Sequence, residues 1–124
     1  MAIKIKHLDH FAIAVHDLAR SLNFYHDKLG LGILPRPNFD FEGAWLDCGN
    51  GISLHLIEQV DTAPIFSGSR HLHFAFVVDD LIVTKEILNG AGIVIAKDIK
   101  PRPDGVLQMF IQDPDGYFLE LTEL

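Results

Sequence analysis

The chain repeats itself, and an internal duplication constrains architecture more than any other feature of a short sequence. His10-Phe-Ala-Ile-Ala-Val-His-Asp-Leu18 aligns with His73-Phe-Ala-Phe-Val-Val-Asp-Asp-Leu81, with six of nine positions identical. Leu29-Gly30-Leu31-Gly32-Ile33 then mirrors Asn89-Gly90-Ala91-Gly92-Ile93. Gly51-Ile-Ser-Leu-His-Leu-Ile-Glu58 mirrors Gly116-Tyr-Phe-Leu-Glu-Leu-Thr-Glu123. Three matches in the same order define two tandem modules, 1–58 and 71–124. The segment 59–70, with Pro64, Ser67, Gly68 and Ser69, reads as the linker between them.

Each module reads as β-α-β-β-β. Alternating apolar residues predict strands over 7–15, 31–35, 43–48 and 52–58, and over 71–78, 93–97, 106–112 and 117–123. Asp17 is the predicted N-cap of a first helix with an apolar stripe from Leu18 to Leu29, closed by Gly30. Asp80 opens a second helix, predicted to run to Asn89 and close at Gly90. Asp113-Pro114-Asp115-Gly116 is a tight turn. The fold class is therefore α+β, with two tandem βαβββ modules.

Composition excludes several functions. With 124 residues and 48% hydrophobic content, the chain can bury a core as one globular protein. A formal net charge of −7 argues against nucleic acid and against an anionic membrane surface. No apolar run approaches the roughly 20 residues of a membrane-spanning helix. The opening Met-Ala-Ile-Lys-Ile-Lys lacks a leader's apolar centre. Cys48 is the only cysteine, so no internal disulfide forms, and the expectation is a cytoplasmic protein.

Strand faces point to a site. Successive side chains alternate faces. His10, Ala12 and Ala14 therefore share one face, opposite Phe11, Ile13 and Val15. His73, Ala75 and Val77 oppose Phe74, Phe76 and Val78. Ser53, His55 and Ile57 oppose Leu54 and Leu56, and Phe118, Glu120 and Thr122 oppose Leu119 and Leu121. Equivalent positions of a duplicated fold thus read His10, His55, His73 and Glu120, several beside small residues. A lone strand histidine is ordinarily a surface or hydrogen-bonded residue. Four matched positions instead suggest ligands, and imidazole with carboxylate suits Zn, Ni, Co, Mn or Fe.

The ordered set Leu8-Asp9-His10, Val15-x-Asp17-Leu18, Ser21-Leu22-x-Phe24-Tyr25, Leu29-Gly30-Leu31, His73-x-Ala75-Phe76-x-Val78-Asp79-Asp80 and Asp113-Pro114-Asp115-Gly116-x-x-x-Glu120-Leu121 resembles the vicinal oxygen chelate superfamily. That superfamily includes glyoxalase I, bleomycin-resistance proteins, fosfomycin-resistance proteins and extradiol dioxygenases. The stretch from Arg36 to Leu46 is similar to small glyoxalase-like proteins. The resemblance implies paired modules curling their sheets around a divalent transition metal held by His10, His55, His73 and Glu120. It also implies Glu120 as the group that moves a proton beside a substrate carbonyl, a small oxygen-rich substrate, and a homodimer. His55 stands where glyoxalase I has glutamate, and Ala14 where bacterial glyoxalase I has a glutathione-binding arginine. Both departures weigh against lactoylglutathione lyase activity.

The leading expectation is a metal-dependent glyoxalase-like lyase, isomerase or thiol transferase. The alternatives are a ligand-sequestering protein of the bleomycin-resistance type and an Fe(II) extradiol-type dioxygenase. Arg36, Lys97, Lys100 and Arg102 are expected in or near loops at the mouth, as anion binders or as solvated charges. Trp45, Phe39 and Phe41 either line a pocket or pack a core or interface, and Gln108 shares the face of Phe110 and Gln112. Arg36, Trp45, Lys100, Arg102 and Gln108 are the substrate-binding candidates. His16, His26 and His71 are expected at the surface, and Cys48 as a small buried residue.

Overall fold

The computed structural model describes residues 2–61 and 72–124. The chain divides into two compact units, Met1–Thr62 and Ala63–Leu124. Residues 62–70 of the predicted linker, and His71, lie outside the described residues.

The first unit runs β1 (His10–Val15), α1 (Leu18–Leu22) continued by a π-helical turn (Asn23–Lys28), β2 (Gly32–Leu34), β3 (Gly43–Asp47) and β4 (Ser53–Glu58). The second runs β5 (His73–Val77), α2 (Leu81–Gly90), β6 (Ile95–Pro101), β7 (Leu107–Gln112) and β8 (Phe118–Glu123). Strand order is β1-β4-β3-β2 in one sheet and β5-β8-β7-β6 in the other. In each, the first and last strands pair in parallel and the remaining pairs are antiparallel. Each unit is thus one βαβββ module, and the fold is α+β.

One face of each sheet is the core. Val15, Tyr25, Leu46, Leu54 and Leu56 are fully buried in the first unit, as are Leu81, Met109, Ile111 and Leu119 in the second. Each such leucine contributes on the order of 1.5–3 kcal/mol by leaving water. On the opposite face His10, Ala12, His73 and Ala75 are exposed, as the alternation predicts.

The helices start on one shared device. Asp17 Oδ1 accepts from Arg20 N at 3.1 Å, and Asp80 Oδ1 accepts from Val83 N at 3.0 Å. A last-strand glutamate captures the first helical N–H in each unit. Glu58 Oε2 accepts from Leu18 N at 2.9 Å, and Glu123 Oε2 from Leu81 N at 2.8 Å. Two carboxylates at each N-terminus satisfy donors that the helix itself leaves unpaired.

The helix ends differ from expectation. The first helix widens into a π turn, with Leu29 N donating to Phe24 O at 2.9 Å. Gly30, with φ +82°, lies thirteen residues beyond the Asp17 cap, whereas Gly92, with φ +75°, lies twelve beyond Asp80. The extra residue is absorbed as a π bulge, which keeps Phe24 and Tyr25 both buried. The second helix continues through Gly90, and Gly92 makes the left-handed reversal. Gly90 therefore does not close it, because a glycine fits a last helical turn as well as a cap. Strand β6 also runs past its predicted end at Lys97 to Pro101. Register shifts between Ile95 and Lys97 and between Lys97 and Lys100 interrupt the alternation that the sequence reading relied on. Lys97 and Lys100 accordingly sit on a strand and not in a loop. In the turn before β8, Asp113 Oδ1 accepts from Asp115 N and Tyr117 N, both at 2.9 Å.

Candidate functional site

The parallel pair at the edge of each sheet sets the same diagonal. His10 pairs with Ser53 and Ala12 with His55, while His73 pairs with Phe118 and Ala75 with Glu120. The first residue of the first strand and the third residue of the last strand are therefore neighbours on one face in both units. The structure brings His10 to His55, and His73 to Glu120.

In the first unit the pair is aromatic. The His10 and His55 rings stack at 4.0 Å with an 8° interplanar angle, and Trp45 stacks on the other face of His55 at 4.2 Å and 5°. Trp45 is opposite His55 in the β3–β4 register, so the sheet itself sets this stack. His10 Nδ1 donates to Asp9 Oδ2 at 2.6 Å, and this bond holds the Asp9 carboxyl below its ordinary range. Ser53 Oγ lies 3.0 Å from His55 Nε2. Burial, reinforced by His10, lowers the His55 pKa and favours its neutral ring.

The stack forms one wall of a cleft of about 820 Å³, lined among others by Asp9, Phe39, Asp47 and the turn Gly49–Gly51. Phe39 is 6.2 Å from Trp45 and 5.1 Å from Phe41. Arg36 lies over both phenylalanine rings, at 4.9 and 5.0 Å, and its Nη2 donates to Phe41 O at 2.9 Å. A Cβ on Gly43 would run into Leu56 O and the Arg36 guanidinium. The guanidinium is thus engaged in holding the segment from Pro37 to Gly43, while Trp45 presents a ring to the cleft.

In the second unit the pair is acid and base. Glu120 is buried, with Oε1 3.3 Å from His73 Nε2 and Oε2 in a longer 3.5 Å contact with Arg102 Nη1. A buried carboxylate is costly unless paired, and these two groups pair it. Arg102 is itself gripped by Asp104, through Nε to Oδ1 at 3.1 Å and Nη2 to Oδ2 at 2.8 Å. That fork raises the Arg102 pKa and lowers that of Asp104. Phe110 is opposite Glu120 in the β7–β8 register and meets His73 edge-on at 5.5 Å, with Lys97 Nζ 5.6 Å above its ring.

The residues can be tested against a divalent metal. His73 and Glu120 fit, because 3.3 Å is about the separation of two donors bonded at ~2.1 Å to one ion. His10 fits too: Asp9 occupies Nδ1 and orients the ring, leaving Nε2, the usual carboxylate–histidine arrangement behind a metal. His55 fits by donor type alone. Its ring is parallel to that of His10, so the in-plane lone pairs of the two do not converge, and Ser53 occupies its Nε2. Within neither unit, among the described residues, do three or more His, Cys, Asp or Glu side chains gather around one point.

Sequence reasoning missed Asp9 and Ser53 as partners of the two histidines. Their positions, one residue before His10 and two before His55, were the available signals. His16 is exposed, whereas His26 is half-buried and its Nδ1 lies 2.7 Å from Leu31 O. Cys48 is half-buried.

Two βαβββ modules, each setting two donor side chains on an open sheet face, define a class of small-molecule enzymes and binding proteins built on a duplicated unit. The profile of the Glyoxalase/Bleomycin resistance protein/Dioxygenase superfamily matches residues 7–121, and the chain belongs to that superfamily. It is 31% identical to the lactoylglutathione lyase of Haemophilus influenzae, over 92% of this chain and 90% of the relative. It is 36% identical to the glutathione transferase FosA of Serratia marcescens, over 94% of this chain and 80% of that one. The crystal structure of the glyoxalase family protein from Enterococcus faecalis superposes with a TM-score of 0.79 at 30% identity, covering 95% of this chain and 98% of that one. Superfamily membership and relatives of these names support a glyoxalase-like enzyme.

Proposed function

We propose that the chain is a metal-dependent glyoxalase-like enzyme that moves a proton on a small oxygen-rich substrate. The carrying observation is the buried Glu120 carboxylate, with one oxygen facing His73 and the other facing Arg102. The proposed metal donors are His10 and His55 of the first unit and His73 and Glu120 of the second. A bound divalent metal supplies Lewis-acid stabilisation to a substrate oxygen that gains negative charge. Glu120 Oε1 accepts the proton from the carbon beside that oxygen and returns it to the neighbouring atom, completing an isomerisation without net loss of atoms. Arg102 holds Oε2 in place, and Asp104 holds Arg102 by its fork.

Elemental analysis of untagged protein tests this reading, beside His73→Ala and Glu120→Gln. About one transition metal per chain in the wild type, lost in both variants, is expected. Solvent deuterium incorporation into a panel of hydroxy- and oxo-carbonyl substrates should disappear in Glu120→Gln. Metal content unchanged by both substitutions refutes the reading.

A second reading rests on the His10–His55–Trp45 stack. Parallel rings bordering an 820 Å³ cleft are a platform for a planar ligand, as a sequestering protein would use. Micromolar binding of a planar ligand by metal-free protein would favour it. Homodimerisation belongs to either reading. It draws support from the exposed Ile82 and Ile87 on α2, and a monomer mass by light scattering at micromolar concentration removes it.

A further inference from the structure

We infer that Asn50 and Gly51 form a self-modifying turn, in which the Asn50 carboxamide is lost as ammonia and a new carboxylate joins Asp9 and Asp47 in the first unit's cleft. The chain has two Asn-Gly pairs, Asn50-Gly51 and Asn89-Gly90. Glycine has no Cβ, so its backbone nitrogen can approach the carboxamide carbon of the residue before it. The two pairs share this chemistry and differ in the backbone that surrounds them.

Asn50 and Gly51 are the central residues of the hairpin turn between β3 and β4. Ile52 N donates to Gly49 O at 2.9 Å across them, and their φ angles are +53° and +78°. Positive φ at both positions defines the hairpin turn that favours Asn-Gly, so the turn accounts for the pair and lability follows from it. Asn50 is the single non-glycine residue at positive φ among the described residues, a region where an L side chain meets its own backbone. Both residues are exposed. Neither the Asn50 carboxamide nor Gly51 N has a hydrogen-bond partner among the described residues. Ring closure requires Asn50 to rotate about its Cα–C bond, which releases the Ile52–Gly49 hydrogen bond. Opening of a hairpin tip is among the least costly local motions of a folded chain.

Asn89 and Gly90 are exposed too, but they lie in the last turn of α2. Gly90 N belongs to the helix ladder, and Asn89 O accepts from Gly92 N at 3.1 Å. Ala91 N and Ile93 N both bond back to Leu88 O, and Leu88 and Ile93 are buried. Freeing Gly90 N therefore unwinds a helical turn and disturbs the core beneath it.

The reaction needs only water. Gly51 N gives up its proton and bonds to Asn50 Cγ, closing a five-membered succinimide as the Cγ–Nδ2 bond breaks and ammonia leaves. Water then opens the ring. Cleavage of the Gly51 N–Cγ bond yields aspartate, and cleavage at the Asn50 backbone carbonyl yields isoaspartate, whose main chain runs through Cγ and is one carbon longer. Either product takes the formal net charge from −7 to −8. No lysine or arginine lines the cleft, so the added charge is not offset there. A carboxamide that donates and accepts becomes an acceptor alone, which turns the cleft against anions and toward cations. None of this depends on the metal or on Glu120.

Peptide mapping by mass spectrometry tests the inference on the untagged chain, incubated in H₂¹⁸O at about pH 8, folded and in urea. Conversion during incubation adds about 3 Da to a peptide, and conversion during later digestion in ordinary water only about 1 Da. In folded protein the Asn50 peptide is expected to convert at least about tenfold faster than the Asn89 peptide, and in urea the two rates should agree within about threefold. Both peptides come from one wild-type sample, so no variant needs to fold. On anion exchange, the acidic species that accumulates in wild type should be lost in Asn50→Ser. Equal rates at the two pairs in folded protein overturn the inference. So does an Asn50 peptide that stays unchanged in folded protein after the urea sample has fully converted, or an acidic species undiminished in Asn50→Ser.

Discussion

Removing the glutamate that ends β8 tests how each module holds its helix. In Glu123→Ala, Leu81 N loses its acceptor at 2.8 Å. A hydrogen bond to a charged group is worth about 1.5–3 kcal/mol net, and the lost carboxylate at a helix N-terminus adds about 0.3–1 kcal/mol. Leu81 is 1% exposed, so water does not easily replace the acceptor, and a loss of about 2–3 kcal/mol is expected. Glu123→Gln keeps an oxygen and loses only the charge, so about 0.5–1 kcal/mol should go. Glu58→Ala makes the same cut in the first unit, but Leu18 is only half-buried and water can reach its N–H. About 1–1.5 kcal/mol is expected there. At roughly 3–4 °C per kcal/mol for a chain of this size, Glu123→Ala should melt about 6–12 °C lower, and Glu58→Ala about half as much. Circular dichroism at 222 nm with heat and with urea reads both. A Glu123→Ala within 0.5 kcal/mol of wild type, or a Glu58→Ala that costs more, would refute the reasoning.

Burial and Asp47 push the Cys48 thiol up from 9.0 to about 11, so at pH 8 its thiolate is about a hundredfold scarcer than that of an ordinary thiol. Labelling by a disulfide reagent at pH 8 should be correspondingly slow in folded protein and fast in urea, and equal rates would contradict the assignment. Asp98 accepts from Lys85 Nζ at 2.7 Å, and this bond holds its carboxyl below the ordinary value of 3.8. A folded-state pKa that is lowered stabilises above the unfolded value, and the contribution is lost as pH falls below it. The pair is exposed, so its effect is small. The urea-midpoint gap between wild type and Asp98→Asn should be present at pH 6, shrink in 1 M salt and close by about pH 2; a gap that persists at pH 2 would rule the pair out.

The fold was legible wherever a period is imposed by the backbone. The pleat requires that Phe11, Ile13 and Val15 oppose His10, Ala12 and Ala14, and Ile13 and Val15 are buried where His10 and Ala12 are exposed. Asp17 and Asp80 were readable as caps for the same local reason. What failed depended on one residue too many. Neither the π turn at Asn23–Lys28 nor the bulges of β6 alter composition, and each shifts every later residue by one position. The spacing from Asp17 to Gly30, one longer than from Asp80 to Gly92, was the only trace of the first. In the site, the face of each donor was readable, but its orientation was not. Whether His55 turns toward Ser53 and lies flat between His10 and Trp45 depends on contacts across three strands. The buried Thr122 hydroxyl has no hydrogen-bond partner among the described residues, and alternation could place it on the face of Glu120 without showing that.

The two modules agree in what holds the backbone and differ in what faces the ligand. Aspartate caps and last-strand glutamates recur at matched positions, as do the left-handed Gly51 and Gly116. On the open faces the register is also retained: Trp45 is opposite His55 where Phe110 is opposite Glu120. The chemistry there has diverged. One diagonal is an aromatic stack of two imidazoles and an indole, suited to a flat, polarisable partner. The other is a buried carboxylate between a histidine and an arginine, suited to handling a proton. The same backbone diagonal supports both, because parallel pairing of first and last strands sets two side chains side by side whatever they are. Divergence at those positions, on a retained strand pairing, is what separate duties for the two halves of a duplicated chain would require. On the proposed reading, proton chemistry falls to the second unit, at Glu120.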